Sequence, residues 1–247
     1  MRGVVVVFLT LLFSSAAIGQ QALPPPPRSA GKSVCVIPAI GHKFAVKKIG
    51  LMVFGNALDE IAVDSWGVDE LIVRKIGALL GNRFSVRRVN LPKATLAALE
   101  SPDGGPFRNR TAEWDEAVTA TARAAGKCDF YINVYRTAVA YSNTNQSLFG
   151  MGIVSHGTEL LGTYWLYANF AVRLYDGNTF AVLKTEIARS DPILVSALTT
   201  GVGGMNRRVD KTWWPDPPQA AAQSAILKDG IRALVNEGLE KTLPGML

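Results

Sequence analysis

The chain has few of the side chains on which hydrolytic and metal centres usually depend. Its 247 residues include only two histidines, His42 and His156, and two cysteines, Cys35 and Cys128. No two of these four residues have the spacing of metal ligands. The pair Ser155-His156 lies outside a Gly-x-Ser-x-Gly sequence, and adjacent residues of an extended chain point to opposite sides. We therefore expect no metal, no cofactor and no catalysis, and a hydrolase that relies on His156 is the least favoured alternative.

Charged residues are also few, at 19% of the chain, and they are scattered. The formal net charge is +6, but no basic stripe or known motif of a nucleic-acid-binding protein is present. We interpret the densest basic clusters as solvated faces and expect no nucleic-acid partner. These clusters are Lys43/Lys47/Lys48, Arg83/Arg87/Arg88 and Arg207/Arg208/Lys211. With 48% hydrophobic residues, the chain can bury a substantial core.

The longest uncharged apolar run lies at the N-terminus and is typical of a signal peptide. Arg2 precedes the apolar run Val4–Phe13, and Ala17-Ile18-Gly19 places small residues where a signal peptidase cleaves. The run is shorter than the roughly 20 residues that span a bilayer, although an uncleaved anchor is the alternative. We expect residues 1–19 to be removed and the protein to be exported to the periplasm or the extracellular space.

A proline-rich stretch follows, with Pro24–Pro27 inside residues 20–32. Consecutive prolines favour an extended polyproline conformation. This stretch is predicted to be a tether in front of one domain, residues 33–247. Cys35 and Cys128 both begin predicted strands of this domain. In an oxidising compartment they can form a disulfide, and the alternative is two buried free thiols.

The periodicity of apolar residues predicts strands that alternate with helices. The predicted strands are Ser33–Ile40, Lys43–Phe54, Phe84–Val89, Asp129–Tyr141, Tyr164–Asp176 and Thr179–Arg189, and the predicted helices are Trp66–Leu80, Leu91–Leu99, Ala112–Ala125 and Gln219–Thr242. Helices between strands imply parallel crossovers, and Gly177 favours a hairpin between the last two strands. We expect an α/β fold: a three-layer sandwich with a mixed, mostly parallel sheet, an antiparallel hairpin at one side, and helices on both faces.

This order of elements, in an exported chain of this length, resembles the α/β domain shared by TolB N-terminal, LpoB and CsgG-type envelope proteins. The resemblance covers most of the domain, from the strand Ser33–Ile40 to the last helix, and it contains no shared sequence motif. It implies a non-enzymatic envelope protein that acts through protein contacts. It assigns a role to no individual residue.

Two groups of residues are candidates for a binding surface. One face of the predicted strands carries polar and aromatic side chains, among them Tyr131, Tyr135, Trp165 and Tyr167. Aromatic residues and arginine are enriched in binding hot spots. The alternative is that helices cover this face and only the tips of the aromatic side chains reach solvent.

The second candidate is the glycine-rich, apolar connection Ser147–Gly162, which includes Phe149, Met151 and Ile153. It can be a covered loop, bind a partner, or enter a membrane as a hairpin. With Trp213 and Trp214 it predicts a non-catalytic envelope protein that binds another protein. The alternative is a subunit of an oligomeric outer-membrane pore or secretion assembly, with peripheral membrane contact and homo-oligomers as its consequences.

Overall fold

The computed structural model describes residues 31–50, 55–101, 108–141, 144–157, 162–190 and 204–246. The expected signal peptide and most of the expected tether lie outside these residues. The strands are β1 (Lys32–Ala39), β2 (Lys43–Ile49), β3 (Ala57–Ala62), β4 (Phe84–Arg88), β5 (Phe130–Arg136), β6 (Ala138–Ala140), β7 (Ser147–Phe149), β8 (Met151–His156), β9 (Thr163–Ala168), β10 (Phe170–Asp176), β11 (Val182–Ile187) and β12 (Met205–Val209). The α-helices are α1 (Val68–Leu80), α2 (Lys93–Glu100), α3 (Arg110–Ala125) and α4 (Ala225–Thr242).

The strands form two five-stranded sheets and one short ribbon. Sheet A has the order β11-β10-β5-β1-β4, and sheet B has the order β12-β9-β8-β2-β3. In sheet A, β1 is parallel to both of its neighbours, whereas β5, β10 and β11 pair in antiparallel fashion. The predicted hairpin at one side of the sheet is therefore confirmed. The ribbon β6-β7 lies over sheet B.

Sheet A lies between two layers of helices, so the predicted three-layer α/β architecture is confirmed. On one face, Ile37 and Tyr131 pack with Leu96 of α2 and Val118 of α3. The other face of sheet A packs with α1, α4 and one face of sheet B in the largest core cluster. Representative members of that cluster are Val36, Ile132, Ile72, Leu234 and Ile153.

Three of the points at which the chain passes between sheet A, sheet B and the ribbon bond to one another. Thr137 follows β5, Gly150 separates β7 from β8, and Asn169 separates β9 from β10. The Thr137 amide donates to the Asn169 carbonyl, the Asn169 amide to the Gly150 carbonyl, and the Gly150 amide to the Thr137 carbonyl. This closed ring satisfies the backbone groups that leave the two ladders, as buried polar groups require. It also fixes the ends of β5, β7 and β10 next to one another.

Several elements differ from the sequence prediction. The connection Ser147–Gly162 contains β7 and β8, and β8 is an interior strand of sheet B between β2 and β9. The described part of the Gly- and Pro-rich segment after Arg189 contains β12, and β3 was not predicted. Helix α3 begins at Arg110, before the predicted start at Ala112, and its cap is Asn109, whose side chain accepts from the Ala112 amide. No helix among the described residues is long and apolar enough to cross a membrane.

Cys35 and Cys128 form a disulfide, so the structure contains the first of the two alternatives that the sequence left open. Cys35 lies in β1 and Cys128 lies two residues before β5. Both half-cystines are buried with Tyr131 between sheet A and α3.

Candidate functional site

The C-terminal end of β5 places a charged side chain inside the protein. Arg136 continues the face of β5 that carries Ile132 and Val134, and its side chain is 1% exposed. Its Nη1 donates to both carboxylate oxygens of Glu100, at 3.0 and 3.1 Å, and its Nη2 donates to Glu60 at 3.1 Å. A buried guanidinium requires such partners, because burial without them costs several kcal/mol.

Glu100 joins Arg136 to a second cluster of polar groups. Its side chain is 6% exposed, and it contacts His42 Nε2 at 2.8 Å and Lys43 Nζ at 3.7 Å. Burial alone would raise the pKa of Glu100. The hydrogen bond with His42 and the charge of Arg136 outweigh it and lower that pKa below its ordinary value. The Glu60 pKa is also lowered, because its bonds with Lys43 and Arg136 outweigh burial. Both carboxylates therefore stay ionised at neutral pH.

Gly150 makes room for the Arg136 side chain. Its φ is +67°, and a Cβ at this position would lie 2.2 Å from Nε of Arg136. Within the described residues, this Nε has no hydrogen-bond partner. The guanidinium therefore lies directly against the backbone that connects β7 with β8.

We expect Gly150→Ala to destabilise the protein more than another glycine replacement with the same backbone conformation. Both changes place alanine in a left-handed conformation, which costs about 1–2 kcal/mol. Gly67→Ala is the matched control, since Gly67 has φ +61° and its nearest neighbours would lie at ordinary distances of 3.6 and 3.8 Å. Gly150→Ala must also displace Arg136, and overpacking of this kind costs about 1–3 kcal/mol more. Urea unfolding of both variants measures the difference, and equal losses would contradict this role of Gly150.

A cleft of about 360 Å³ opens on the outer side of Arg136. It lies between the end of α2, the start of α3, and strands β5, β7 and β10. Its walls combine three aromatic side chains with three arginines, namely Trp114, Tyr135, Phe149, Arg110, Arg136 and Arg173. Apolar walls with a few convergent charged groups are characteristic of ligand sites.

The aromatic rings and guanidinium groups of the cleft pack in pairs. The Trp114 and Tyr135 rings are 5.2 Å apart, and the Arg173 guanidinium lies 5.2 Å from the Tyr135 ring centre. The Arg136 guanidinium lies 4.5 Å from the Phe149 ring centre. These cation–π contacts hold the rings in fixed positions. Phe149 is nevertheless 41% exposed, which is unusual for a ring that contacts a buried charge.

A second set of contacts fixes the side of the cleft formed by α3. Arg173 of β10 forms an ion pair with Asp115, and the Tyr175 hydroxyl donates to the same carboxylate oxygen at 2.8 Å. Burial, followed by the bond with Asp115, raises the pKa of Tyr175. Trp114 Nε1 donates to the buried Asn133 at 2.6 Å. The first turns of α3 are therefore fixed to sheet A.

A second cavity, of about 380 Å³, lies on the other side of Glu100. It is lined by His42, Lys43, Glu60 and Lys93 among others, and Glu100 lines both cavities. Nδ1 of His42 is buried and has no hydrogen-bond partner within the described residues. Glu100 thus lies between the aromatic cleft and this second cavity.

Only two of the predicted binding residues lie in the aromatic cleft. Tyr135 and Phe149, which come from the two different sequence candidates, meet there at the end of β5. Trp165 is half-buried and packs on the side of sheet B that β6-β7 covers. Trp213 and Trp214 are half-buried and pack against the main core, with Trp214 5.8 Å from Tyr164.

The prediction that four other residues form an accessible binding surface is wrong. Tyr131, Met151, Ile153 and Tyr167 are fully buried. Tyr131 packs beneath α3, since helices cover this face of sheet A, which was the alternative considered from sequence. Met151 and Ile153 of β8 face the main core, and Tyr167 packs with Leu148 of the ribbon β6-β7, so all three are core residues of sheet B.

The sequence prediction missed Glu100, Arg110, Trp114, Arg136 and Arg173 as members of one site. One signal was present, because Arg136 falls on the apolar face of an otherwise regular strand, where a charge indicates a buried partner. Arg110 and Trp114 are four residues apart and therefore share a helix face. No pattern of residues indicated that α2, α3 and β7 meet at the end of β5.

Comparison with known proteins gives structural likenesses at low identity. No protein-family model matches the chain, and no curated protein matches it. A protein of Xanthomonas campestris from family DUF330 is 10% identical, with a TM-score of 0.35 and coverage of 91% of this chain and 94% of that chain. The LpoB C-terminal domain from Salmonella enterica is 11% identical, with a TM-score of 0.23 and coverage of 66% and 84%. A lipoprotein from Neisseria meningitidis is 13% identical, with a TM-score of 0.28 and coverage of 83% and 96%. Scores this low carry no argument about function, so the proposal below rests on the residues of this chain.

Proposed function

We propose that the chain is an exported, non-catalytic protein of the cell envelope that binds another protein in the aromatic cleft. The observation that carries the proposal is Phe149, a large exposed ring fixed over the buried guanidinium of Arg136. A rigid, exposed aromatic side chain beside arginines has the composition of a binding hot spot. Because its partners hold it in place, little side-chain entropy is lost when a ligand binds.

The charges of the cleft indicate what kind of segment it accepts. Arg136 and Arg173 are each neutralised by a carboxylate of this protein, Glu100 and Asp115 respectively. Arg110 is exposed, and no carboxylate of the described residues lies within ion-pair distance of it. A segment that places an acidic group on Arg110 and an apolar side chain between Trp114 and Phe149 would satisfy both features.

The structure favours this function over a pore or secretion subunit. The pore alternative requires Ser147–Gly162 to enter a membrane as a hairpin. The described part of this segment instead supplies β8, an interior strand whose Met151 and Ile153 side chains are buried in the core. Withdrawing β8 into a membrane would break two ladders and expose the centre of sheet B.

Photo-crosslinking in cells tests the proposal. A photoreactive amino acid at Thr111, on the exposed rim of the cleft, should form an adduct with a specific envelope protein. Adding Phe149→Ala should lower the yield about fivefold or more, because loss of a hot-spot ring costs at least about 1 kcal/mol of binding.

The control places the same photoreactive group at Lys48, an exposed position of β2 in sheet B. Thermal unfolding shows whether Phe149→Ala remains folded, since the ring also contacts Arg136. Identical adducts from positions 111 and 48, or a yield from position 111 that Phe149→Ala does not change, would refute binding in the cleft.

A further inference from the structure

Strand β11, at one of the two edges of sheet A, is exposed from Val182 to Glu186. Within the described residues, β11 pairs with β10 on one side and has no strand on the other. Its apolar side chains Val182 and Leu183 are exposed, and Leu183 is 51% exposed. An open edge that carries apolar side chains is a template for pairing with another strand.

The β10–β11 ladder determines which backbone groups of β11 face outward. The amide of Ala188 donates to the carbonyl of Phe170, so the pair 188/170 exchanges hydrogen bonds. Backbone groups alternate along a strand, and therefore those of Lys184 and Glu186 point toward β10. Those of Thr185 and Ile187 point away from the sheet and are available to another strand. Leu183 has no partner on β10, because the register shifts between the pairs Leu174/Lys184 and Tyr175/Val182.

The sequence of β11 is complementary to itself in one register. If two copies pair in antiparallel fashion with Thr185 opposite Thr185, the outward groups of the two Thr185 residues form a hydrogen-bonded pair. Leu183 of each copy then lies opposite Ile187 of the other. Lys184 lies opposite Glu186 twice, at non-hydrogen-bonded positions, where facing side chains approach most closely.

From this complementarity we infer that the protein forms a homodimer through β11, with a twofold axis at Thr185. Charge and apolar contact both select this one register. A shift by two residues in either direction would remove both Lys184–Glu186 contacts and would place like charges opposite each other. The occupant of the edge is therefore a second copy of this chain.

The dimer would join the two copies of sheet A into one continuous sheet. A twofold axis between antiparallel edge strands is perpendicular to the sheet, so both aromatic clefts open on the same face. The two β10 strands, each carrying Arg173, would be separated by three strand spacings, or roughly 14 Å. The dimer would thus present two neighbouring binding sites on one surface.

Charge reversal tests the register. An interface of one strand pair is small, so its Kd is expected in the micromolar range, and sedimentation at about 1 µM and about 300 µM protein brackets it. The wild-type protein should be a monomer at the lower concentration and largely a dimer at the higher one. Lys184→Glu and Glu186→Lys should each weaken the dimer at least tenfold, because like charges then face each other. The double variant Lys184→Glu/Glu186→Lys should restore it.

Lys48→Glu is the matched control, since it makes the same charge change on an exposed strand position of sheet B. Circular dichroism shows whether each variant is folded, because Lys184 also bonds the Gly245 carbonyl. A wild-type protein that stays monomeric at both concentrations overturns the inference. Single reversals that act no more strongly than Lys48→Glu overturn the register.

A cysteine at the twofold axis gives an independent test. Opposite residues of a hydrogen-bonded antiparallel pair have Cα atoms about 5.5 Å apart, which a disulfide can bridge. Thr185→Cys should therefore form a covalent dimer under mild oxidation. Leu183→Cys should not, because the two copies of position 183 would be separated by roughly 14 Å along the strands. The native cysteines do not interfere, since they are bonded to each other. Equal crosslinking of both variants, or of neither, would exclude the Thr185-centred pairing.

Discussion

Replacing Arg136 with methionine is expected to lower the free energy of unfolding by about 3–5 kcal/mol at neutral pH. Methionine keeps the unbranched, flexible part of the side chain, but it is shorter than arginine and provides no charge. Glu100 would then be a buried carboxylate without its buried cationic partner, and Glu60 would lose one of its two ion pairs. The desolvation of Glu100, which the guanidinium now offsets, would become a net cost.

The pH dependence of this loss identifies its cause. In the wild-type protein the Glu100 pKa is lowered, so its pairing stabilises the fold above the ordinary value of 4.5, and this stability is lost as the pH falls through the lowered pKa. In Arg136→Met, one of the charges that lower the Glu100 pKa is lost while burial still acts to raise it, so this pKa rises and protonation relieves the less well paired charge. The stability difference between the two proteins should therefore narrow as the pH falls below about 5.

Lys43→Met is the control for Arg136→Met. Lys43 contacts the same two carboxylates, but its side chain is 38% exposed. Exposed ion pairs contribute about 1 kcal/mol or less, so this variant should remain close to the wild-type stability. Urea unfolding of the three proteins from pH 4 to pH 7 provides the comparison. A loss for Arg136→Met below about 1 kcal/mol at pH 7 would mean that Glu100 is not held by Arg136.

The sequence predicted the elements of sheet A because each keeps a regular pattern. Strand β1 is a short β-branched run, helices α1 and α3 repeat at helical spacing, and Gly177 lies in the turn of the hairpin. The local sequence pattern was therefore sufficient to predict elements that belong to a single sheet and bury a single face. The parallel pairing of β1 with β4 and β5 followed from the helices between these strands.

Sheet B was not predicted as a separate sheet, because the alternation of apolar residues is not interrupted where the chain passes from one sheet to the other. Leu166 and Ala168 of β9 and Phe170 and Val172 of β10 are core residues, so apolar alternation continues in phase through Asn169. A single long strand and two strands of different sheets have the same sequence pattern here. Only the hydrogen bonds of Asn169 with Thr137 and Gly150 divide the run.

The aromatic cleft was only partly predictable for a related reason. Alternation placed Tyr135 on the polar and aromatic face of its strand, and its ring does lie in the cleft, beside Arg173. Phe149 was selected because it is an apolar residue between glycines, and it is accessible because β7 belongs to a short two-stranded ribbon. Arg136 and Glu100 come together only through tertiary packing, which no local pattern specifies.

Removing the disulfide is the second change with a large expected effect. The bond between Cys35 and Cys128 closes a loop across a sequence separation of 93 residues. In the chain-entropy description, a loop of this length gives about 4–5 kcal/mol of stabilisation, and measured losses for native disulfides are about 2–5 kcal/mol. The variant Cys35→Ala/Cys128→Ala should lose this amount in urea unfolding, with alanine chosen because it buries no new polar group among the residues around Tyr131.

Wild-type protein unfolded in the presence of a reductant is the matched control, because it has the same unconstrained unfolded chain without the missing sulfur atoms. The free energy of unfolding that the reduced protein loses should agree with the loss in the variant within about 1 kcal/mol, which is the cost of a small cavity. If both proteins stay within about 1 kcal/mol of the oxidised wild type, the disulfide is not a major source of stability.

The disulfide and Arg136 stabilise opposite ends of the same strand, so removing one or the other should affect binding in the aromatic cleft differently. Cys128 precedes β5 and Arg136 ends it, so the two sites are about 20 Å apart and their effects on stability should be independent.

The aromatic cleft lies at the Arg136 end alone. Under conditions in which it is folded, Cys35→Ala/Cys128→Ala should therefore retain the adduct formed from position 111. Arg136→Met should lose it even when folded, because Phe149 then has no cation beneath its ring. Loss of the adduct in both variants would show that it reports global stability rather than the geometry of the cleft.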